Sequence, residues 1–159
     1  MTVNLSKSVI KEIQKISGTD NVHLSEADRY CYSYDATGRI FMPDAVVFPG
    51  TAQEISAILR LATKHRFNVI TRGSGSGTTG GSVAVRGGVI MVLTKMNRII
   101  SIDTDNLVAM AETGVITADF HRAVESKGLF YPPDPSSSAF STLGGNLAEC
   151  AGGPRAVKY

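Results

Sequence analysis

The sequence predicts a mixed α+β fold, and two successions of elements carry that prediction. A short apolar strand at Ala45–Phe48 is followed by an amphipathic helix and by a second strand at Phe67–Thr71. Strand, helix and strand with short connections form a parallel, right-handed crossover unit. Further along, Ile99–Asp103 and Leu107–Glu112 flank a Thr-Asp-Asn turn, which predicts an antiparallel hairpin. The chain is therefore expected to combine a small parallel or mixed sheet with a second α+β region.

The composition is that of an ordinary globular protein with room for one domain or two small lobes. Of its 159 residues, 43% are hydrophobic and 19% are charged. The formal net charge of +2 and the dispersed basic residues argue against nucleic acid or a membrane surface as a partner. No segment approaches transmembrane length, and the start of the chain lacks the apolar core of a signal peptide. Cys31 and Cys150 form no C-x-x-C pair, so we expect free thiols in a cytoplasmic protein.

Residues 1–42 are expected to form an N-terminal helix and an extended arm. In Leu5–Ser17 an apolar residue recurs every third or fourth position, which predicts an amphipathic helix that ends at Gly18. In Asp28–Gly38 three tyrosines alternate with other residues. That alternation predicts a strand or extended arm whose tyrosines pack rather than bind a ligand.

Two further helices are predicted from their ends. Thr51 with Glu54 three residues on forms a capping box, and the basic residues around His65 suit the negative C-terminal end of that helix. The second helix, Thr117–Lys127, is expected to be N-capped by Thr117 and stopped by Gly128. The residues expected to face the core are Ile55, Ile58, Leu59 and Ala62 in the first helix, and Phe120, Ala123 and Val124 in the second.

The stretch Arg72–Gly81, which reads RGSGSGTTGG, carries the strongest functional signal. It holds five glycines in ten positions and no apolar side chain. Since each compatible replacement of a glycine would stabilise a fold by ~0.4–1 kcal/mol, a plain turn would not retain five. A loop without Cβ atoms can bring its backbone N–H groups close to an anion, so we expect a phosphate site. Arg72 either adds charge there or pairs with a local carboxylate. The hydroxyls expected to contribute are those of Ser74, Ser76, Thr78 and Thr79.

The spacing Gly75-x-Gly77-x-x-Gly80 matches the dinucleotide fingerprint, but its context does not. That fingerprint requires a helix that begins inside the motif and faces the pyrophosphate. The residues that follow read as strand and turn, with an apolar strand at Val89–Leu93, and no Lys-Ser/Thr pair closes the loop as in a Walker motif. The loop is therefore predicted to join two strands, at the carboxyl strand ends where α/β folds place ligands.

A second candidate segment runs through Pro132–Ser138 and Thr142–Gly153. Its prolines fix the backbone, and Gly144-Gly145 permits close approach to a ligand. Alone it reads either as a proline-rich surface loop or as a binding wall, and the need of a dinucleotide for two contact surfaces favours the wall. The three histidines show no metal-ligand spacing and no nucleophile–base pair is visible, so we predict no metal and no catalytic residue.

The ordered segments PGTxxEI, RGSGSGTTGG, AETGV, YPPDPSS and STLGGNLAECAGG resemble the FAD-binding domain of the vanillyl-alcohol-oxidase/PCMH flavoprotein family. The resemblance runs from about Tyr34 to the last residue and is nearest to glycolate oxidase flavin subunits and D-lactate dehydrogenases. It implies two α+β lobes that share one extended FAD. The first lobe would span 43–97 and the second, incomplete, would span 98–159.

The resemblance also implies the residues of the cofactor site. Gly73 to Thr79 would hold the FAD pyrophosphate. Covalent members carry a histidine in this loop, and residues 72–81 contain none, which implies non-covalent FAD. A second wall would be formed by Pro133, Asp134, Ser141, Thr142, Gly144, Gly145 and Asn146, with Ala151 and Gly152 near the flavin.

The implied reaction is oxidation of a D-2-hydroxy acid, such as glycolate or D-lactate, to the 2-oxo acid by hydride transfer to the flavin. In this family the second lobe continues, and a separate substrate domain supplies the catalytic residues. We therefore expect a fragment that needs the remainder of the flavin subunit, and other oxidase subunits, and that is inactive alone. Two alternatives stay open: a flavoprotein of the same fold, such as an enolpyruvyl-sugar reductase or an aldonolactone oxidase, and a non-catalytic module that binds a phosphorylated ligand or nucleotide.

Overall fold

The computed structural model describes residues 5–159, which form two compact units. One unit ends at Lys95 and the other begins at Met96. The predicted boundary at 97/98 lies close to this division, and the assignment of the two lobes to FAD stays a prediction. Within the described residues, no helix is both long enough and apolar enough to cross a membrane.

The first unit is built on a four-stranded mixed sheet. Its strands are β1 (Val22–His23), β2 (Ala45–Val47), β3 (Val69–Arg72) and β4 (Val89–Val92), in the spatial order β1-β2-β4-β3. β1 runs antiparallel to β2, whereas β2 and β3 both run parallel to β4. The predicted parallel strands are confirmed, but β4 lies between them. All four residues of β4 are buried, as expected for a central parallel strand with an unbroken apolar sequence.

Two amphipathic helices predicted for this unit are confirmed. They are α1 (Lys7–Ser17) and α3 (Ala52–His65). The Thr51 hydroxyl accepts from the Glu54 N–H at 3.2 Å, which confirms the capping box. The Glu54 carboxylate turns back to accept from the Gly50 N–H, also at 3.2 Å, so it satisfies the amide one residue before the cap.

The buried stripe of α3 differs from the prediction at one residue. Ile58, Leu61 and Ala62 are buried, whereas Leu59 is 46% exposed. A residue that directly follows a buried one lies about a quarter-turn further round the helix, so Leu59 leaves the stripe that Leu61 completes. The stripe packs with residues of α1 in one core cluster.

The extended arm predicted at Asp28–Gly38 is wrong in its first part. Residues Glu26–Cys31 form helix α2, and the hydroxyl of its N-cap Ser25 accepts from the Asp28 N–H at 3.1 Å. The alternation of the tyrosines suggested an extended strand, but the three side chains do not share one buried face. Tyr32 packs edge-on against Phe48, with ring centroids 5.5 Å apart, whereas the tyrosines on either side of it are exposed.

The second unit holds a two-stranded antiparallel sheet, β5 (Ile99–Asp103) and β6 (Val108–Ala111), which confirms the predicted hairpin. The Asp103 carboxylate stabilises the turn, because its Oδ1 accepts from the N–H groups of Asp105 and Asn106 at 3.1 and 3.0 Å. Helix α4 (Thr117–Glu125) contributes to the core of this unit. That core joins Val115, Phe120, Val124 and Leu143.

Two helical features of this unit differ from the prediction. Thr117 is not an N-cap: α4 begins at Thr117 itself, and the hydroxyl of this residue is buried against Ser141. Helix α5 (Leu143–Ala148) was not predicted, because two glycines in six residues lower its intrinsic helix propensity. Its start is stabilised by Thr142, whose hydroxyl accepts from the Gly145 N–H at 3.3 Å.

Candidate functional site

The glycine loop (residues 73–81) leaves the carboxyl end of β3 and leads back to β4, as predicted. Every residue from 73 to 88 is described, and none is helical. The loop therefore joins two parallel neighbouring strands and has no helix N-terminus behind it, unlike a Rossmann motif.

Arg72, the last residue of β3, lies buried at the base of the glycine loop and is 6% exposed. Its Nη1 donates to the Tyr34 carbonyl at 2.8 Å and to the Ser82 carbonyl at 3.3 Å. The guanidinium carbon lies 5.7 Å from the centre of the Tyr32 ring. Burial lowers the pKa of Arg72, while Tyr32 and Asp35 act in the opposite direction. These contacts give Arg72 a structural role, and its contact with a ligand stays a prediction.

Two glycines of the loop are glycine for different reasons. Gly75 has a φ of +76°, and a Cβ there would lie 2.9 Å from Nε of Arg72 and closer still to the rest of the guanidinium. The chain's own packing therefore requires glycine at 75. At Gly77 a Cβ would meet no atom within 4 Å, and the backbone is not in the left-handed region. Gly77 thus leaves open space on the loop that the chain itself does not fill.

Asp35 is a residue of this region that the sequence reasoning missed. It is 4% exposed, and its Oδ2 accepts from the Gly80 N–H at 3.1 Å. Its Oδ1 accepts from both the N–H and the hydroxyl of Thr37, at 2.9 and 2.6 Å. Burial works to raise the pKa of Asp35, but the hydrogen bonds from Thr37 and Gly80 together lower it below its ordinary value. A carboxylate that accepts from the N–H two residues further on forms an Asx turn. An aspartate followed by threonine two positions later and by glycine three positions later is typical of this turn, so the signal was available in the sequence.

The second candidate segment is held by contacts within its own unit. The Pro133 carbonyl lies 2.8 Å from Nε2 of the half-buried His121. The Asp134 N–H donates to the Gly152 carbonyl at 2.9 Å, and its Oδ2 lies 3.2 Å from Nε of Arg155. The predicted residues Asp134 and Gly152 are thus brought into contact, while the Ala151 N–H donates to the Asn146 carbonyl at 2.9 Å.

Three buried polar side chains of this unit form a hydrogen-bonded network. Nδ2 of Asn146 donates to the Thr117 hydroxyl at 2.7 Å, and that hydroxyl lies 2.8 Å from the Ser141 hydroxyl. All three residues are at most 6% exposed. Ser141 and Asn146 therefore join α4 to the segment that carries α5. Their predicted place in a cofactor wall stays a prediction.

The paired glycines at the start of α5 pack closely against other residues of the same unit. A Cβ on Gly144 would lie 2.7 Å from Cβ of Thr113, and the Gly144 N–H donates to the Thr113 carbonyl at 2.8 Å. A Cβ on Gly145 would lie 3.2 Å from the Thr142 hydroxyl oxygen. Close packing inside the unit accounts for Gly144 without a ligand.

Comparison with known proteins decides the family, because the model of the FAD-binding domain matches residues 43–159. The chain belongs to this FAD-binding family. The predicted cofactor, FAD, is thereby confirmed. The chain is 48% identical over 156 residues to glycolate oxidase subunit GlcD of Bacillus subtilis (strain 168), which covers 98% of this chain and 33% of that protein. It is 41% identical over 117 residues to a D-lactate dehydrogenase of Anaerostipes hadrus, covering 74% of this chain and 24% of that enzyme.

The same comparisons bear on fold and extent. A solved alkyldihydroxyacetonephosphate synthase superposes with a TM-score of 0.86 at 25% identity, covering 98% of this chain and 34% of that one. The PCMH-type α+β fold is therefore confirmed. The chain spans a third or less of the length of the two relatives named above. Within residues 5–159, no group of three or more His, Cys, Asp or Glu side chains is placed to hold a metal ion.

Proposed function

We propose that this chain is the FAD-binding part of an oxidoreductase that oxidises a D-2-hydroxy acid, glycolate or D-lactate, to the 2-oxo acid. The observation that carries the proposal is the 48% identity to a glycolate oxidase subunit over nearly the whole chain. The similarity to a D-lactate dehydrogenase supports the same substrate class, since glycolate and lactate are both 2-hydroxy acids. FAD, when bound, supplies the acceptor for the hydride that leaves the α-carbon of the substrate.

The chain's own contribution is to bind and orient the cofactor. Within the glycine loop, the Gly80 N–H donates to Asp35 and the Gly81 N–H donates to the Thr79 hydroxyl at 3.4 Å. We assign the pyrophosphate to the part of the loop before these residues, from Gly73 to Thr79, where Gly77 leaves open space. The loop contains no histidine for flavin attachment, so the FAD is proposed to be non-covalent.

The second unit contributes a separate surface to this proposal. Pro133, Asp134 and Gly152 are held in place by hydrogen bonds and an ion pair within that unit. A wall that is rigid before the ligand arrives lowers the entropy cost of binding a large cofactor. Catalytic residues are assigned to the remainder of the flavin subunit. Turnover is proposed to require that remainder and other oxidase subunits. The cytoplasmic location stays a prediction.

One observation supports a second candidate function. The alkyldihydroxyacetonephosphate synthase superposes at a TM-score of 0.86, so a protein named for a different reaction has the same fold. The second candidate is accordingly a flavoprotein of this fold that acts on another substrate class.

The discriminating experiment uses the full-length flavin subunit that contains this chain. The purified protein is expected to show a flavin absorbance spectrum, and its flavin should be released by denaturation without proteolysis. Anaerobic addition of glycolate or D-lactate should bleach the oxidised flavin band, whereas L-lactate should not. A flavin that no 2-hydroxy acid bleaches would favour the second candidate, and a colourless protein would contradict both.

A further inference from the structure

The glycine loop is held from a distant part of the chain, by residues 34–36. The Asp35 carboxylate accepts from the Gly80 N–H across 45 positions in sequence, at 3.1 Å. The next residue, Ala36, donates its N–H to the Gly77 carbonyl, also at 3.1 Å. The preceding residue, Tyr34, accepts from Arg72 at the base of the loop. Three consecutive residues therefore fix two points on the loop and one beneath it.

These contacts matter because a glycine-rich loop is costly to order. Fixing the backbone of a residue costs conformational entropy, and glycine loses more freedom than any other residue. If the loop were mobile, that cost would fall on ligand binding and weaken it. A loop already fixed at Gly77 and Gly80 presents its backbone N–H groups before the ligand arrives.

An anionic ligand in the loop would be affected by the charge of Arg72 as well as by the charge of Asp35. A carboxylate beneath a phosphate site would repel the ligand if it stood by itself, but the positive charge of Arg72 lies in the same buried region and interacts with it. The opposite charge of Arg72 therefore offsets part of that repulsion. What Asp35 then contributes is the position of the loop backbone rather than a favourable field.

We propose that Asp35 is a positioning residue for FAD, whose carboxylate holds the Gly80 end of the glycine loop in the shape that binds the pyrophosphate. This inference rests on the proposed role of the loop in binding FAD. Asp35 lies before residue 43, where the match to the FAD-binding domain begins. The cofactor site of this protein therefore extends beyond the matched domain, into the segment that follows α2.

The chain offers a matched control in Asp44. Oδ2 of Asp44 accepts from the Gly88 N–H at 2.7 Å, so it makes the same kind of carboxylate–glycine bond across a similar sequence distance. Gly88 directly precedes β4, whereas the glycine loop follows β3, and these strands are parallel. The Asp44 bond therefore lies at the opposite end of the sheet from the loop.

The test compares Asp35→Asn with Asp44→Asn in the full-length flavin subunit that contains this chain. At position 35, either orientation of the new amide places a donor against a donor, at Gly80 or at Thr37. We expect Asp35→Asn to weaken FAD binding by about tenfold or more, a loss of about 1.4 kcal/mol, while Asp44→Asn leaves it within about twofold. Both variants are compared by thermal unfolding, and titrations are made where each is folded.

A second ligand separates positioning from a general loss of structure. Riboflavin carries no phosphate, so the ratio of FAD to riboflavin affinity should fall in Asp35→Asn and stay unchanged in Asp44→Asn. Equal weakening of both ligands, or equal FAD affinity in the two variants, would overturn the proposal. Thr37→Val removes only the hydroxyl that supports Asp35 at 2.6 Å. The same hydroxyl accepts from the exposed Arg39 N–H at 3.3 Å, which water can satisfy in the variant. Thr37→Val should therefore lower the same ratio by a smaller factor, and it replaces Asp35→Asn if that variant does not fold.

A different set of binding results is expected if the glycine loop does not bind FAD at all. If Gly77→Val binds FAD as the wild type does, or if the wild-type full-length subunit binds no FAD, the assignment of the loop is wrong and the role of Asp35 falls with it. If Gly77→Val loses FAD while Asp35→Asn keeps full affinity and selectivity, only the positioning role is refuted.

Discussion

Substitution of Gly75 by alanine is the perturbation whose effect the structure specifies most fully. Gly75 has a φ of +76°, and a Cβ at this position would overlap the guanidinium of Arg72. The overlap cannot be relieved cheaply, because that side chain is buried and donates to the carbonyls of Tyr34 and Ser82. Either the loop or the arginine must move.

The expected magnitude follows from these two effects. A non-glycine residue in the left-handed region costs about 1–2 kcal/mol. Loss of a hydrogen bond from a charged donor costs about 1.5–3 kcal/mol, and displacement of Arg72 breaks at least the 2.8 Å bond to Tyr34. We therefore expect Gly75→Ala to lower the free energy of unfolding by about 2.5–5 kcal/mol, a large share of the ~5–15 kcal/mol of a typical domain.

Gly77→Val is the matched comparison, two residues along the same loop. A Cβ at Gly77 meets nothing within 4 Å, so the unfolding free energy should change by no more than about 0.5 kcal/mol. The added side chain would, however, occupy the space assigned to the pyrophosphate, and FAD binding should be lost. One glycine is thus predicted to matter for folding and the other for the cofactor.

Urea unfolding and FAD fluorescence titration separate the two effects. We expect a lower urea midpoint for Gly75→Ala, and an unchanged midpoint with lost FAD binding for Gly77→Val. A Gly75→Ala protein as stable as the wild type would refute the packing of Arg72 against the loop. A Gly77→Val protein that retains FAD would refute the pyrophosphate assignment.

Three further predictions concern stability. Leu61→Ala should lower the free energy of unfolding, measured in urea, by about 2–5 kcal/mol. Leu59→Ala, at a 46% exposed position, should lower it by less than about 1 kcal/mol. Similar losses for the two variants would contradict the burial of Leu61 rather than Leu59 in α3. Thr117→Val should cost about 1–3 kcal/mol because it leaves Nδ2 of the buried Asn146 without its acceptor, and a neutral effect would argue against that network. The folded-state pKa of Asp35 lies below its ordinary value of about 3.9. The stability that its charged form contributes should therefore be present above that pH and be lost as the pH falls further. The difference in melting temperature between wild type and Asp35→Asn should accordingly shrink only below about pH 4.

The parts of the fold that could be predicted are those specified by neighbours in sequence. The capping box of Thr51 and Glu54, the hairpin turn at 104–106 and the apolar run of β4 each depend on residues a few positions apart. The place of β4 between β2 and β3 could not be predicted, because strand order depends on pairing between distant segments. Helix α5 was missed for a related reason, since the packing of Gly144 against Thr113 accounts for a glycine that local propensity disfavours.

The candidate site shows the same division. The glycine loop was visible because its composition is unusual, and its position after β3 followed from the order of elements. The residue that supports it was only partly visible. The sequence offers the Asx-turn signal at Asp35, but nothing in it indicates the contact with Gly80, 45 positions away. The donation from the Asn146 amide to Thr117, 29 positions away, was not visible either, and the contact of Asn146 with the ligand stays a prediction.

The central claim is that the glycine loop binds the pyrophosphate of FAD. The most direct measurement is a two-dimensional amide NMR spectrum of the 159-residue chain, recorded with FAD, with ADP and with riboflavin. If the loop binds the pyrophosphate, FAD and ADP should shift the backbone amide signals of residues 73–79, whereas riboflavin should leave those signals in place. Amide signals of the glycine loop that stay unmoved by both FAD and ADP, at ligand concentrations that shift signals elsewhere, would contradict this claim.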